Sequence, residues 1–289
     1  MRHVPVRTKG NIMRIHAIST GTVAIKTNQS VGKGKGSGAR LVNVLLDPNW
    51  TDFLPIYVWV IEHPEGLIVV DTGETSRTSE PGYFPRWHPF FQLCNRMNVQ
   101  PDDEIGPQMK RLGLSRDDVR WVVMTHLHTD HAGGLAHFPK AEILVSRTEY
   151  AATPGFKGQI NGYLRNRWPS WFSPKLVDFG TEKLGEFPAQ SLTKAGDVSL
   201  IATHGHSPGH VSVIVQEDDK SIFLAGDTSY KESTMLAQAV DGVSPDESIA
   251  RTTLGRILRY TQNTPTVYLP AHDPESAARL EWRQIVAHI

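Results

Sequence analysis

One cysteine, Cys94, stands in a chain of 289 residues. That scarcity excludes an internal disulfide framework, a multi-cysteine zinc knuckle and an iron–sulfur cluster, so any metal must be held by imidazole and carboxylate. Long apolar runs are also missing. The longest is the six residues Ile56 to Ile61, whereas a membrane-crossing helix needs roughly 20. Neither sign of charge is in excess, because 30 Lys and Arg balance 30 Asp and Glu. A nucleic-acid partner, which usually demands basic excess to neutralise phosphates, is not expected. The basic N-terminal stretch MRHVPVRTKGNIMRIHAI lacks the apolar core of a secretory signal, so a cytoplasmic location is expected.

What the chain has in quantity is histidine. There are 13, and seven of them fall between His126 and His210. Around them the apolar pattern is that of an α/β protein. Residues 12–31 and 41–46 alternate as half-buried strands, with the loop GKGKGSG between them; this loop lacks the Gly-Lys-Ser/Thr order of a phosphate-binding P-loop. The run from Ile56 to Gly73 reads as a hairpin around Pro64-Glu65-Gly66, ending at Asp71. Helix signals cover 102–119, about 246–262 and 274–288, and short strands are expected at 121–125, 141–146, 198–203, 211–216, 221–226 and 266–270. No low-complexity linker divides the chain. We therefore expect one α/β domain over 1–289, with two sheets, helices packed outside and an aromatic loop insertion at about 151–190.

The chemistry concentrates in Thr125-His126-Leu127-His128-Thr129-Asp130-His131-Ala132-Gly133-Gly134, directly after a buried strand. Residues two apart at an extended strand end point the same way, so His126 and His128 can converge on one ion. Asp130 and His131, beyond the bend, can reach a second. The glycines are expected to let the backbone turn sharply beneath them. Further ligand-type residues, His206, Asp227 and His272, each follow a predicted strand, and strand ends gathered at one sheet edge can share a site.

These motifs resemble those of the metallo-β-lactamase superfamily, whose dinuclear members use His-x-His-x-Asp-His, a third His, a bridging Asp and a final His. The resemblance runs from about Asp71 to His272. It implies an αββα sandwich of two mixed sheets flanked by helices. It also implies two divalent ions: His126, His128 and His206 on the first, Asp130, His131 and His272 on the second, and Asp227 between them. Zinc is the first choice for this donor set, and cobalt, manganese or iron fit it as well. By the same resemblance Asp71 supports the metal-binding loop and His210 hydrogen-bonds behind the ligands. The absence of a cysteine ligand departs from the antibiotic-degrading branch.

A hydroxide shared by two such ions is a nucleophile at neutral pH, so hydrolysis is the expected chemistry. Tyr230, three positions after Asp227, looks like the Asp-x-x-Tyr element of the N-acyl homoserine lactone lactonases. The implied reaction is opening of the lactone ring, with Tyr230 donating to the oxyanion and Asp130 returning a proton to the leaving alkoxide. The implied partner is a small lactone, and the resemblance suggests a homodimer. Two alternatives stand beside this. One is a glyoxalase-II-like thioesterase or another dimetal esterase or phosphoester hydrolase, although the 17 residues after His272 are too few for the C-terminal glutathione domain of glyoxalase II. The other is a noncatalytic metal-binding protein.

Overall fold

Alternation of side chains along paired strands decides which surfaces meet in this molecule. Trp59, Ile61, Ile68, Val70, Trp121 and Val123 point one way from the first sheet and join Val213, Val215, Ile222, Leu224, Val267 and Leu269 of the second in one buried cluster. Their neighbours Val58, Val60, Val69 and Val122 point the other way, beneath Ile105 and Met109. Ile214, Phe223 and Tyr268 do the same on the far side, beneath Leu254, Ile257 and Tyr260. A period of two thus builds a helix–sheet–sheet–helix sandwich with its main core between the sheets. The structure is a computed structural model that describes residues 6–8 and 11–288, and part of the basic N-terminal stretch lies outside the described residues.

The first sheet runs, in spatial order, Val6–Thr8, Asn11–Ile25, Leu54–Glu62, Leu67–Val70, Val119–Val123, Glu142–Ser146 and Lys175–Val177, with Asn95–Asn98 beside the distal part of the long second strand. The second runs Thr266–Pro270, Ser221–Gly226, Val211–Gln216, Val198–Ala202, Phe187–Ser191 and Lys183–Leu184. Both are mixed. Leu67–Val70, Val119–Val123 and Glu142–Ser146 are parallel, as are Ser221–Gly226 and Thr266–Pro270. Parallel strands deliver their C-terminal ends to a common edge. Backbone hydrogen bonds from Val211 N to Thr125 O (2.9 Å) and from Tyr57 N to Ala271 O (3.0 Å) tie the two sheets together there.

Two expectations are corrected. The alternating stretch 12–31 is strand only to Ile25, followed by a short helix Thr27–Ser30. Of residues 41–46, expected as a strand, 41–45 belong to the helix Ser37–Leu45 and Leu46 caps it. In ARLVNVLL the apolar positions satisfy either period, and tertiary contact decides: Arg40 and Val44, four apart, are buried together, whereas Val42 and Leu46 are exposed. The stretch 151–190 is more regular than its composition suggests, containing a helix Gly155–Ile160 and strands that join both sheets. No helix among the described residues is long and apolar enough to cross a membrane.

Candidate metal centre

The strand Val119–Val123 runs straight into the histidine-rich loop, and Asp71 fixes the junction. Asp71 takes a left-handed backbone (φ 63°), a conformation Asp tolerates better than most residues. Its carboxylate accepts from Thr125 N (2.7 Å) and Thr125 Oγ1 (2.8 Å) and from His131 Nδ1 (2.8 Å). The paired glycines act differently from the expectation. Gly133 and Gly134 have ordinary φ of −65° and −88°. They are small because a Cβ on Gly133 would lie 2.3 Å from Glu74 Oε1, and one on Gly134 2.2 Å from Thr72 O. Close packing of the loop on residues 72–75 requires them.

All seven residues named as ligands from the sequence come together. Donor atoms of His126, His128 and His206 lie within 4.8 Å of one another, as do those of His126, His131 and Asp227, and those of Asp130, His131 and His272. Asp227 belongs to both sides: Oδ1 is 3.3 Å from His131 Nε2 and 3.4 Å from His272 Nε2, and Oδ2 is 3.5 Å from His206 Nε2.

Each imidazole is aimed by its other nitrogen. His126 Nδ1 donates to Thr125 Oγ1 (3.1 Å), His128 Nε2 to the Asn161 carbonyl (3.1 Å), and His272 Nδ1 to the Pro55 carbonyl (2.8 Å). His131 uses Asp71, and His206 Nδ1 donates to Asp241 (3.1 Å). A ring that gives its outer N–H away turns its remaining nitrogen inward, the geometry of an oriented metal ligand. His210 is spoken for at both nitrogens, with Thr203 Oγ1 at 3.0 Å from Nδ1 and the Asp227 N–H donating to Nε2 at 3.1 Å. It holds Asp227 in place without facing the centre.

The inner surface fits divalent ions. His131 Nε2 and Asp227 Oδ1 are buried with no hydrogen-bond partner, at the focus of these donors. Such orphaned atoms are rare in a native interior and ask for a ligand. The charges say the same. Burial, reinforced by His131, His128 and His206, holds His126 well below the ordinary imidazole range, so it is neutral and able to ligate. At His272 burial opposes charge, but Asp227 and Asp130 outweigh it and push the ring up to about 10. Burial likewise opposes the charge of Asp130, yet His131 and His272 pull it down to about 2. The carboxylates thus demand positive charge at a point where cations can replace protons.

Three buried carboxyl groups escaped the sequence reading. Asp241 orients His206. Glu149 accepts from Leu127 N (3.1 Å), Ser207 Oγ (2.7 Å) and Gly209 N (3.0 Å), and so joins the two histidine loops. Glu74 packs against Gly133 and accepts from Thr75 N (2.9 Å) and Tyr83 (3.2 Å). None sits in a motif with a ligand spacing. Nothing in their local sequence singles them out.

The centre floors a cavity of about 400 Å³, where His128, Asp130, His206, Asp227, Tyr230 and His272 are reached from one side. Its walls are apolar: Val23 and Ile25 from the long strand, Leu41 and Leu45 from the helix Ser37–Leu45, then Trp87, Phe90, Phe91 and Met97. Of the aromatic residues in the stretch 151–190 only Tyr163 reaches it, while Trp168 and Phe172 pack under the first sheet. The Tyr230 ring lies against His272 (centroids 5.6 Å apart) and within a cluster of Val23, Ile25, Leu54, Ile56 and Val99. Burial, with Asp227 and Asp241 nearby, holds its phenol well above the ordinary value, so the proton stays on.

The fold is a sandwich of two mixed sheets between helices, with His and Asp groups that could hold metal ions gathered at the strand ends. The chain belongs to the Metallo-beta-lactamase superfamily, whose family model matches residues 51–272. Among curated proteins it is similar to an N-acyl homoserine lactonase of Bacillus thuringiensis, 29% identical over 236 residues that cover 81% of this chain and 87% of that one. It is also similar to the N-acyl homoserine lactonase AttM of Rhizobium radiobacter, 27% identical over 281 residues and covering 93% and 96%. A solved N-acyl homoserine lactone hydrolase, with its product N-hexanoyl-L-homoserine bound at the catalytic metal center, superposes with a TM-score of 0.74 at 23% identity, covering 91% of this chain and 94% of that one.

Proposed function

We propose that the protein is a dimetal lactonase that opens the ring of N-acyl homoserine lactones. The observation that carries this reading is the Tyr230 phenol, protonated and buried, on the floor of an apolar cavity whose other floor residues, His128, Asp130, His206, Asp227 and His272, belong to the candidate ligand set. His126, His128 and His206 would hold one ion, Asp130, His131 and His272 the other, and Asp227 both, with zinc the first choice. Two divalent ions, when bound, supply a nucleophile from water at neutral pH and polarise a carbonyl.

The chain's own residues supply the rest. The apolar walls exclude water from an acyl chain and align the lactone over the floor. Tyr230 donates its O–H to the ring carbonyl oxygen as negative charge develops there, a preorganised donor that needs no reorganisation at the moment of reaction. Asp130 is the one ligand-set carboxylate with appreciable side-chain exposure, 19% against 4% for Asp227. It can therefore carry the proton released in the attack to the departing alkoxide. The named lactonase activity of the two curated relatives supports the choice of substrate.

The purified, zinc-loaded protein is expected to release acid from N-acyl homoserine lactones, followed by pH indicator. With two equivalents of metal confirmed, absence of turnover across acyl lengths would sink the reading.

A further inference from the structure

Gln29 lies on the short helix Thr27–Ser30, in a stretch whose alternation suggests only a strand. It is 6% exposed and lines the cavity beside Tyr230. Its Nε2 donates to the Tyr230 hydroxyl at 3.0 Å. Its Oε1 is buried and has no hydrogen-bond partner. The residue is pinned by its backbone, with Gln29 N donating to Lys26 O (2.9 Å) and Gly242 N donating to Gln29 O (2.8 Å). A fixed, buried carboxamide oxygen without a donor is an acceptor waiting for one.

The hydrogen bond from Gln29 occupies the acceptor side of the Tyr230 oxygen and leaves the phenol hydrogen for another group. Side by side at the wall of the cavity, then, stand one donor, Tyr230 O–H, and one buried, unpartnered acceptor, Gln29 Oε1. An α-acylamino lactone carries the matching pair, a ring carbonyl oxygen and an amide N–H on adjacent carbons. Resting on the lactonase reading above, we infer that Gln29 recognises the substrate's amide N–H through Oε1 while its Nε2 orients the Tyr230 hydroxyl. Gln29 thereby selects N-acylamino lactones over lactones that lack the N–H.

The test compares kcat/KM for an N-acyl homoserine lactone and for an α-alkyl-γ-butyrolactone of equal length with CH2 in place of the N–H. Wild type is expected to favour the amide by about tenfold or more, a typical consequence of leaving a site's buried acceptor unpaired. Gln29→Met should erase that preference, mainly through KM for the amide, with metal content unchanged. Gln29→Glu keeps an acceptor for the N–H but takes the phenol hydrogen for itself. It should retain the preference and lose kcat on both lactones. Both lactones opened with an unchanged ratio in Gln29→Met would overturn the inference, as would loss of the ratio in Gln29→Glu if the methionine variant does not fold. If the metal-loaded wild type opens neither lactone, the lactonase reading itself has failed and this selectivity falls with it.

Discussion

His206 Nδ1 lies 3.1 Å from Asp241 Oδ2, across 35 residues of chain, and this pair sets one face of the candidate metal centre. Asp241 is itself fixed by Val243 N (2.8 Å), Ser244 N (2.6 Å) and Ser244 Oγ (2.7 Å). Burial opposes its charge, but His206 and these donors hold it below the usual carboxylate range. Asp241→Asn should weaken metal retention by roughly 10- to 100-fold, the usual effect of losing an orienting partner. Chelator competition, read against wild type, measures this, and equal retention would contradict the assignment.

Glu149 joins the loop at Leu127 to the loop at Ser207 and Gly209. An amide in its place keeps one oxygen but turns an NH2 toward a donor, so Glu149→Gln should destabilise the fold by about 2–4 kcal/mol. Urea unfolding of the metal-free protein gives the number. A loss below about 0.5 kcal/mol, the scatter of ordinary surface substitutions, would show that the loops do not depend on it.

Glu74 gives a pH signature. Burial, with a smaller contribution from Asp130, outweighs the donors Thr75, Thr129 and Tyr83 and pushes its carboxyl up to about 8. Oε2 is buried and has no hydrogen-bond partner, so nothing there favours the charged form. Because the folded value is raised above the unfolded 4.5, its contribution to stability is fully present below pH 4.5 and declines as pH rises to about 8. The loss at the upper end is on the order of 4 kcal/mol at most. Glu74→Gln mimics the protonated form, so its metal-free stability relative to wild type should improve steadily between pH 5 and pH 8. A difference that does not vary with pH would rule out the raised carboxyl.

Tyr230→Phe removes the phenol donor and keeps the ring packed on His272. Under the proposed mechanism kcat should fall by about 10²–10³ with both metals retained. Loss of metal together with activity would instead mean that the hydroxyl is structural.

How legible was this molecule in its sequence? The clustering of the candidate ligands was, because a site of this kind concentrates a rare side chain at strand ends: His126, His128, Asp130 and His131 fall within six residues, and His206, Asp227 and His272 each follow an apolar run, and the fold brings all seven together. The sandwich was legible for a related reason, since strands buried on both faces read as continuous apolar runs. What the sequence hid lies in the supports. Asp241, Glu149 and Glu74 act through distant partners, so their roles exist only once the chain is folded. The helix Ser37–Leu45 was hidden because its apolar residues fit two periods, and Gly133 and Gly134 look like turn-formers when their task is to admit a neighbouring backbone.

The cavity wall formed by Leu41 and Leu45 belongs to an excursion between two strands, whereas the ligands sit where strands end. Tools for breaking a bond and tools for choosing its owner are therefore carried by different stretches of chain. Descendants of this sequence can try new walls one residue at a time, and the seven clustered His and Asp side chains need not change. Arg40 marks the limit of that freedom: it leaves the same helix to grip Ser244 O (2.8 Å), next to the carboxylate that steers His206. An inherited change of appetite that shifts this arginine would be felt at His206.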